Sequence, residues 1–174
     1  MCCLGHFPAL AWRWCKLLDK PTIQSIDTCL NQLRLPHNIN VVFLDSLSIS
    51  DQWKAKNGRL FILNVGVPIV TLHLPVLLAS HFVIYSMAIK ILHSPLSSSE
   101  VDLAERILSY YCETAKFVHG PSIEIFSLHA HTHLPAQVKK EILFTFDFLF
   151  YLGTTTWWTW FHISFLFRIM YQTH

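Results

Sequence analysis

Charge is scarce in this sequence. Only 14% of its 174 residues are Asp, Glu, Lys or Arg, and the formal net charge is +2, against roughly 25% charged residues in an ordinary soluble domain. So even a balance excludes a broad electrostatic grip on nucleic acid, which needs many Lys and Arg contacts to phosphate. Cysteine lacks a framework. The five thiols, at positions 2, 3, 15, 29 and 112, are odd in number, and no C-x-x-C occurs. That pattern argues for unpaired thiols in a reducing compartment. Gly does not follow Met1, so a myristoylation signal is missing, although Cys2 and Cys3 leave palmitoylation open. A signal peptide is also disfavoured, because Met1 to Lys16 has no basic start and Arg13 and Lys16 interrupt its apolar run.

What the chain has instead is apolar surface. Hydrophobic residues make up 52% of it, and the 30 residues between Arg59 and Lys90 contain no Asp, Glu, Lys or Arg. Gly66 and Pro68 break this run, and Pro75 opens a second segment that reaches His93. Proline suits the first turn of a helix, where its missing N–H would have no partner. From there Val76, Leu78, Ala79, Phe82, Val83, Met87 and Ile89 leave almost no polar face. Such a helix is either buried or crosses a membrane. The interior positions of His73, His81 and Tyr85, with Asn64 and two prolines nearby, favour a buried core helix.

The rest of the chain is organised by helical punctuation. Asp19 and Pro21 start a helix over 20–34, with Ile23, Ile26, Leu30 and Leu33 on one face, and Leu35-Pro36 ends it. Val41-Val42-Phe43 suits a short strand. Ser48 or Ser50 caps a helix over 51–65, which Asn57-Gly58 is expected to kink, since an interior Gly costs about 1 kcal/mol relative to Ala. Ser99 with Asp102 makes a start resembling a capping box. The helix that follows, 100–118, carries Val101, Ala104, Leu108, Tyr111, Ala115 and Val118 at the helical period and stops at Gly120-Pro121. A last helix spans 123–140.

Trp53-Lys54-Ala55, Arg59-Leu60-Phe61 and Asn64-Val65-Gly66-Val67-Pro68-Ile69 resemble the signature of transposase-derived proteins in the CACTA-like group of DDE transposases. Leu74-Pro75, His81-Phe82, Ala88-Ile89-x-x-Leu92 and Ser127-Leu128-His129-x-x-x-His133-Leu134-Pro135 follow in the same order. The resemblance covers about 21–140 and leaves three regions: an N-terminal segment, 1–20, a transposase-derived helical domain, 21–140, and a divergent hydrophobic tail, 141–174. It implies a nuclear setting and DNA as a partner. It also implies an active site built from two Asp and a Glu, which this chain does not supply. The two Asp would lie upstream of its residues, and in place of the expected Gly-Gly turn and Phe-Glu stand Glu141 to Asp147. Two-metal phosphoryl transfer requires converging carboxylates, so no transposase activity is expected.

His129, His131 and His133 are the one group with metal-ligand spacing. In a helix His129 and His133 share a face while His131 points elsewhere; in a strand all three project to one side. His129 and His133 are the candidate zinc ligands. The resemblance supports them, because enzymes of this broad kind use a paired-His element, sometimes with zinc, to pin a helical insertion. A structural zinc site takes four ligands, and the other half is missing, so no bound cofactor is expected from these two alone.

Phe148 to Phe167 has 20 residues without a charged side chain, about one membrane span. It reads either as an anchor or as sequence translated past a frameshift or splice junction; Trp157, Trp158 and Trp160 cluster at its middle, whereas a membrane belt would place them at the ends. The fold expected is thus all-α, a small irregular helical bundle around the buried apolar helix 75–93. The function expected is that of a truncated transposable-element fragment without catalysis. The alternatives are a small membrane protein anchored by 148–167 and a zinc-assisted DNA- or protein-binding module.

Overall fold

A computed structural model describes residues 3–34, 46–123 and 126–151. The chain divides into two compact units, Met1–Val138 and Lys139–His174. Every regular element among the described residues is helical. Of the second unit, residues 139–151 are described, and they are helical. The strand expected at Val41–Phe43 and the tail beyond Tyr151 lie outside the described residues.

The N-terminal segment is part of the first unit's core. Helix α1, Cys3–Leu17, buries Phe7, Leu10, Ala11 and Trp14 completely or nearly so. Helix α2, Lys20–Gln32, starts as expected: Asp19 accepts a hydrogen bond from the Thr22 N–H, and Pro21 sits in the first turn. Ile26 and Leu30 are its buried residues.

The single helix expected over 51–65 is broken up, and not at Asn57-Gly58. A 3₁₀ helix, Leu47–Gln52, comes first, capped by Ser46, while Ser50 is buried. Extended backbone at Trp53 and Lys54 then interrupts the chain. Helix α3, Ala55–Leu60, holds Asn57 and Gly58 within it. It leads into one π turn, Phe61–Val65, in which the Gly66 N–H bonds back to the Phe61 carbonyl. Helix α4, Gly66–His73, follows at once with Pro68 in its first turn, so Gly66 and Pro68 do not end the run. Gly66 is needed for space. A Cβ there would stand 2.6 Å from the Phe61 carbonyl oxygen and 2.7 Å from its ring. The bare glycine backbone lets the Phe61 ring lie against it and enter the core.

Helix α5, Val76–His93, is the apolar helix expected at the centre. Leu78, Ala79, His81, Phe82, Tyr85, Ser86, Ala88, Ile89 and Leu92 are buried. Its burial is one-sided, because Val76 and Leu77 are mostly exposed and Met87 half so. The buried side also makes polar contacts. The Ser86 hydroxyl, for example, donates to the Ile62 carbonyl in the π turn at 2.6 Å. An aromatic cluster fills the space between α5 and its neighbours. Phe82 has Trp14 at 5.3 Å and Phe61 at 5.8 Å, centroid to centroid, and Phe61 has Phe7 at 4.7 Å.

Helix α6, Ser98–His119, packs along α5. Its cap is Ser97, which accepts from the Glu100 N–H, whereas the sequence pointed to Ser99. Glu100 reaches back past the cap to the Leu96 N–H at 2.8 Å, so the start only resembles a capping box, and it is set two residues earlier than expected. Gly120 ends the helix with φ 85°, a left-handed conformation that glycine adopts without steric cost. The helix expected over 123–140 is also split. A 3₁₀ turn, Pro121–Ile123, and helix α7, Phe126–His131, precede a turn at Thr132-His133, and helix α8 runs from Leu134 to Tyr151.

Candidate functional site

Four helices deliver six polar rings to one buried region. His6 comes from α1, His81 and Tyr85 from α5, Tyr111 and His119 from α6, and His131 from α7. All six are 5% exposed or less. His81 and Tyr85 are four apart on α5, and Tyr111 and His119 eight apart on α6, spacings that keep each pair on one face. His81 stacks on Tyr111 at 4.3 Å and Tyr111 on Tyr85 at 4.9 Å. His6 meets Tyr85, Tyr111 and His131 edge-on at 5.3, 5.6 and 5.0 Å.

Hydrogen bonds assign the protons. The Thr114 hydroxyl donates to the Tyr110 carbonyl at 2.6 Å, so its oxygen can only accept from His81 Nε2, 3.0 Å away. His81 is therefore protonated on Nε2, and its Nδ1 accepts from His119 Nε2 at 3.0 Å. His119 in turn offers its carbonyl to Arg13 Nη1 at 2.9 Å, which ties α1 to the end of α6. In the second branch His131 donates from Nδ1 to the Ser127 carbonyl, so its Nε2 accepts from the Tyr85 hydroxyl at 3.1 Å. His6 Nε2 and the Tyr111 hydroxyl are 2.6 Å apart.

Burial keeps the network neutral. Desolvation, then the neighbouring His131, His119 and His81, hold His6 well below the ordinary imidazole value. Desolvation brings His81 down to about 4, while desolvation together with His81 and Arg13 brings His119 down to about 3. His131 is lowered by burial against the opposing effect of its bonds to the Ser127 and Leu128 backbone. Desolvation pushes the Tyr111 phenol up. These neutral, buried rings join four helices, and two of their nitrogens, His6 Nδ1 and His119 Nδ1, are buried without a bonding partner.

The expected metal ligands lie elsewhere. His129 and His133 are both exposed, and their Nε2 atoms approach to 3.3 Å with the rings nearly perpendicular. A tetrahedral zinc ion with Zn–N near 2.05 Å places two of its nitrogens roughly 3.3–3.4 Å apart. The pair thus fits two corners of such a site. His131 points away from the pair, as helical spacing requires, and is fully buried. Among the described residues no three His, Cys, Asp or Glu side chains come together as a metal-holding group.

No family model, curated protein or solved structure matches the chain.

Sequence reasoning missed the buried network, although a signal was present. The core face counted along α6 through Tyr111 and Ala115 reaches His119 one turn later. In the sequence, His81 and Tyr85 read only as polar interruptions of an apolar helix.

Proposed function

We propose that this chain is a transposase-derived helical module without catalysis, kept together by the residues of its ancestral signature and working through surface contacts. One observation carries the reading. The aromatic residues of the signature are spent on packing: Trp53 lies 6.0 Å from Phe61, Phe61 lies 5.8 Å from Phe82, and Gly66 gives the Phe61 ring its room. His81, the partner of Phe82 in the signature, is bonded into the buried network. Residues fully engaged in packing are not available to substrate. Of the described carboxylates, Asp19 caps α2, Asp27 accepts from the Leu47 N–H and Glu100 accepts from the Leu96 N–H, whereas phosphoryl transfer by paired metal ions needs carboxylates converging on the ions. The test is a strand-transfer and nicking assay on supercoiled and linear DNA with Mg²⁺ or Mn²⁺. No product is expected. Metal-dependent cleavage that co-purified with the protein and was lost in Asp147→Asn would overturn the reading.

The outward chemistry of the module rests on His129 and His133, which offer zinc two ring nitrogens and leave two positions to water or to a partner's side chains. Weak zinc binding by the isolated chain is expected, with no stoichiometric metal after dialysis. A tight one-to-one complex, abolished in both His129→Ala and His133→Ala, would show instead that the chain completes the site by itself. His131→Ala is unsuitable as a control, because His131 is fully buried against Tyr85. Thr132→Ala, at an exposed position within the same turn, serves in its place.

A further inference from the structure

Helix α6 carries a second apolar stripe, opposite the face it gives to the core. Its buried residues are Val101, Ala104, Leu108, Tyr111, Ala115 and His119. On the other side Leu103, Tyr110 and Phe117 recur at seven-residue steps and are 40%, 56% and 78% exposed. Seven residues fall only about 20° short of two helical turns, so the three side chains stand nearly in line along about 21 Å of helix. Arg106 and Glu113 are exposed as well. Each follows a stripe residue by three positions, which places both charges along the same edge.

This pattern is complementary to itself when reversed. A two-fold axis beside Tyr110 that runs the second helix antiparallel brings each position before 110 opposite the equally distant position after it. Leu103 then meets Phe117 of the second copy and Tyr110 meets its own counterpart. Arg106 comes within one residue, about 1.5 Å along the axis, of the opposing Glu113. Symmetry makes that pair twice, and no like charges face each other. A parallel pairing in register would set Arg106 against Arg106 and Glu113 against Glu113. An isologous interface of this kind closes on itself and needs no second type of surface.

We propose that this face of α6 is the docking surface for a second copy of the chain, antiparallel and centred on Tyr110. The apolar stripe supplies the contact, and the two Arg106–Glu113 pairs fix its direction. The proposal does not depend on the origin of the chain or on zinc.

Sedimentation equilibrium of the full chain tests it, with circular dichroism confirming that each variant keeps its helices. A reversible monomer–dimer equilibrium is expected. Arg106→Glu and Glu113→Arg should each weaken it at least about tenfold, because each reversal turns two attractions into two repulsions. The double variant R106E/E113R restores opposite charges across the axis and should regain the wild-type dimer constant. Tyr110→Glu should be monomeric. A chain that stays monomeric at every concentration overturns the proposal. So does a dimer that the single reversals leave unchanged, or a double variant no better than the singles. Binding of a monomeric chain to phosphatidylcholine vesicles, lost in Tyr110→Glu, would assign the stripe to a lipid surface and also overturn it.

Discussion

Acidification from pH 7 to about pH 4 should unfold the unit Met1–Val138. The cause is the set of four buried imidazoles, His6, His81, His119 and His131, all held below the ordinary histidine value. In the unfolded chain each takes up a proton near pH 6.5. Above that pH neither state is protonated and the stability is fully present. Below it the unfolded chain binds protons that the folded chain refuses, so stability falls with each further step. The loss continues until the pH reaches the folded values, about 4 for His81 and about 3 for His119. Each such group contributes a slope of up to about 1.4 kcal/mol per pH unit. Four of them can remove, within two or three units, an amount comparable with the roughly 5–15 kcal/mol that holds a domain together. Far-UV dichroism and tryptophan fluorescence against pH should show one cooperative transition that begins below pH 6.5. A fold intact at pH 3 would contradict the neutral network.

The second large effect is steric. Phe82→Ala should destabilise the fold by about 3–5 kcal/mol, the range for removing a buried aromatic ring. Phe82 is fully buried and lies among Trp14, Phe61 and Tyr85, three rings from three different segments. Alanine leaves a cavity that rigid aromatic neighbours collapse into poorly, which places the cost in the upper part of the range for core truncations. Thermal and urea denaturation followed by dichroism measure it. An unchanged midpoint would mean that α5 is not the helix on which the others pack.

Much of the helical architecture is written locally. Asp19 with Pro21, Pro75, and Gly120 mark ends that need no tertiary information, and the core face of α6 follows from spacing alone. The all-α class and the apolar helix over 76–93 were legible for the same reason. The breaks were not. Local propensity marked Asn57-Gly58 as the weak point, yet the backbone turns at Trp53-Lys54 and widens into a π turn at Phe61–Val65. Packing decides both, since Trp53 and Phe61 must reach the same aromatic cluster and Gly66 must make room for the ring. Ser97 displaced Ser99 as the cap of α6, because Glu100 then finds the Leu96 N–H and satisfies a second donor.

The histidines divide in the same way. Spacing of four put His129 and His133 on one face, and they do meet there. Their spacing to His131 implied only that it points elsewhere, not that it enters the core and bonds Tyr85. Nor could periodicity show that His6, at the start of the chain, meets Tyr111 across 105 residues. Long-range polar contacts depend on how helices cross, and one sequence carries little of that. The one-sided exposure of α5 was hidden for a related reason: a helix apolar on every face does not say which face its neighbours cover.

Nitrogen-15 NMR of the histidine rings is the most direct test of the buried network that joins α1, α5, α6 and α7. From pH 8 down to the onset of unfolding, His81 and His119 should remain neutral with the proton on Nε2, and His131 neutral with the proton on Nδ1. Opposite tautomers, or smooth titration of any of these rings near pH 6.5 while the chain stays folded, would contradict it.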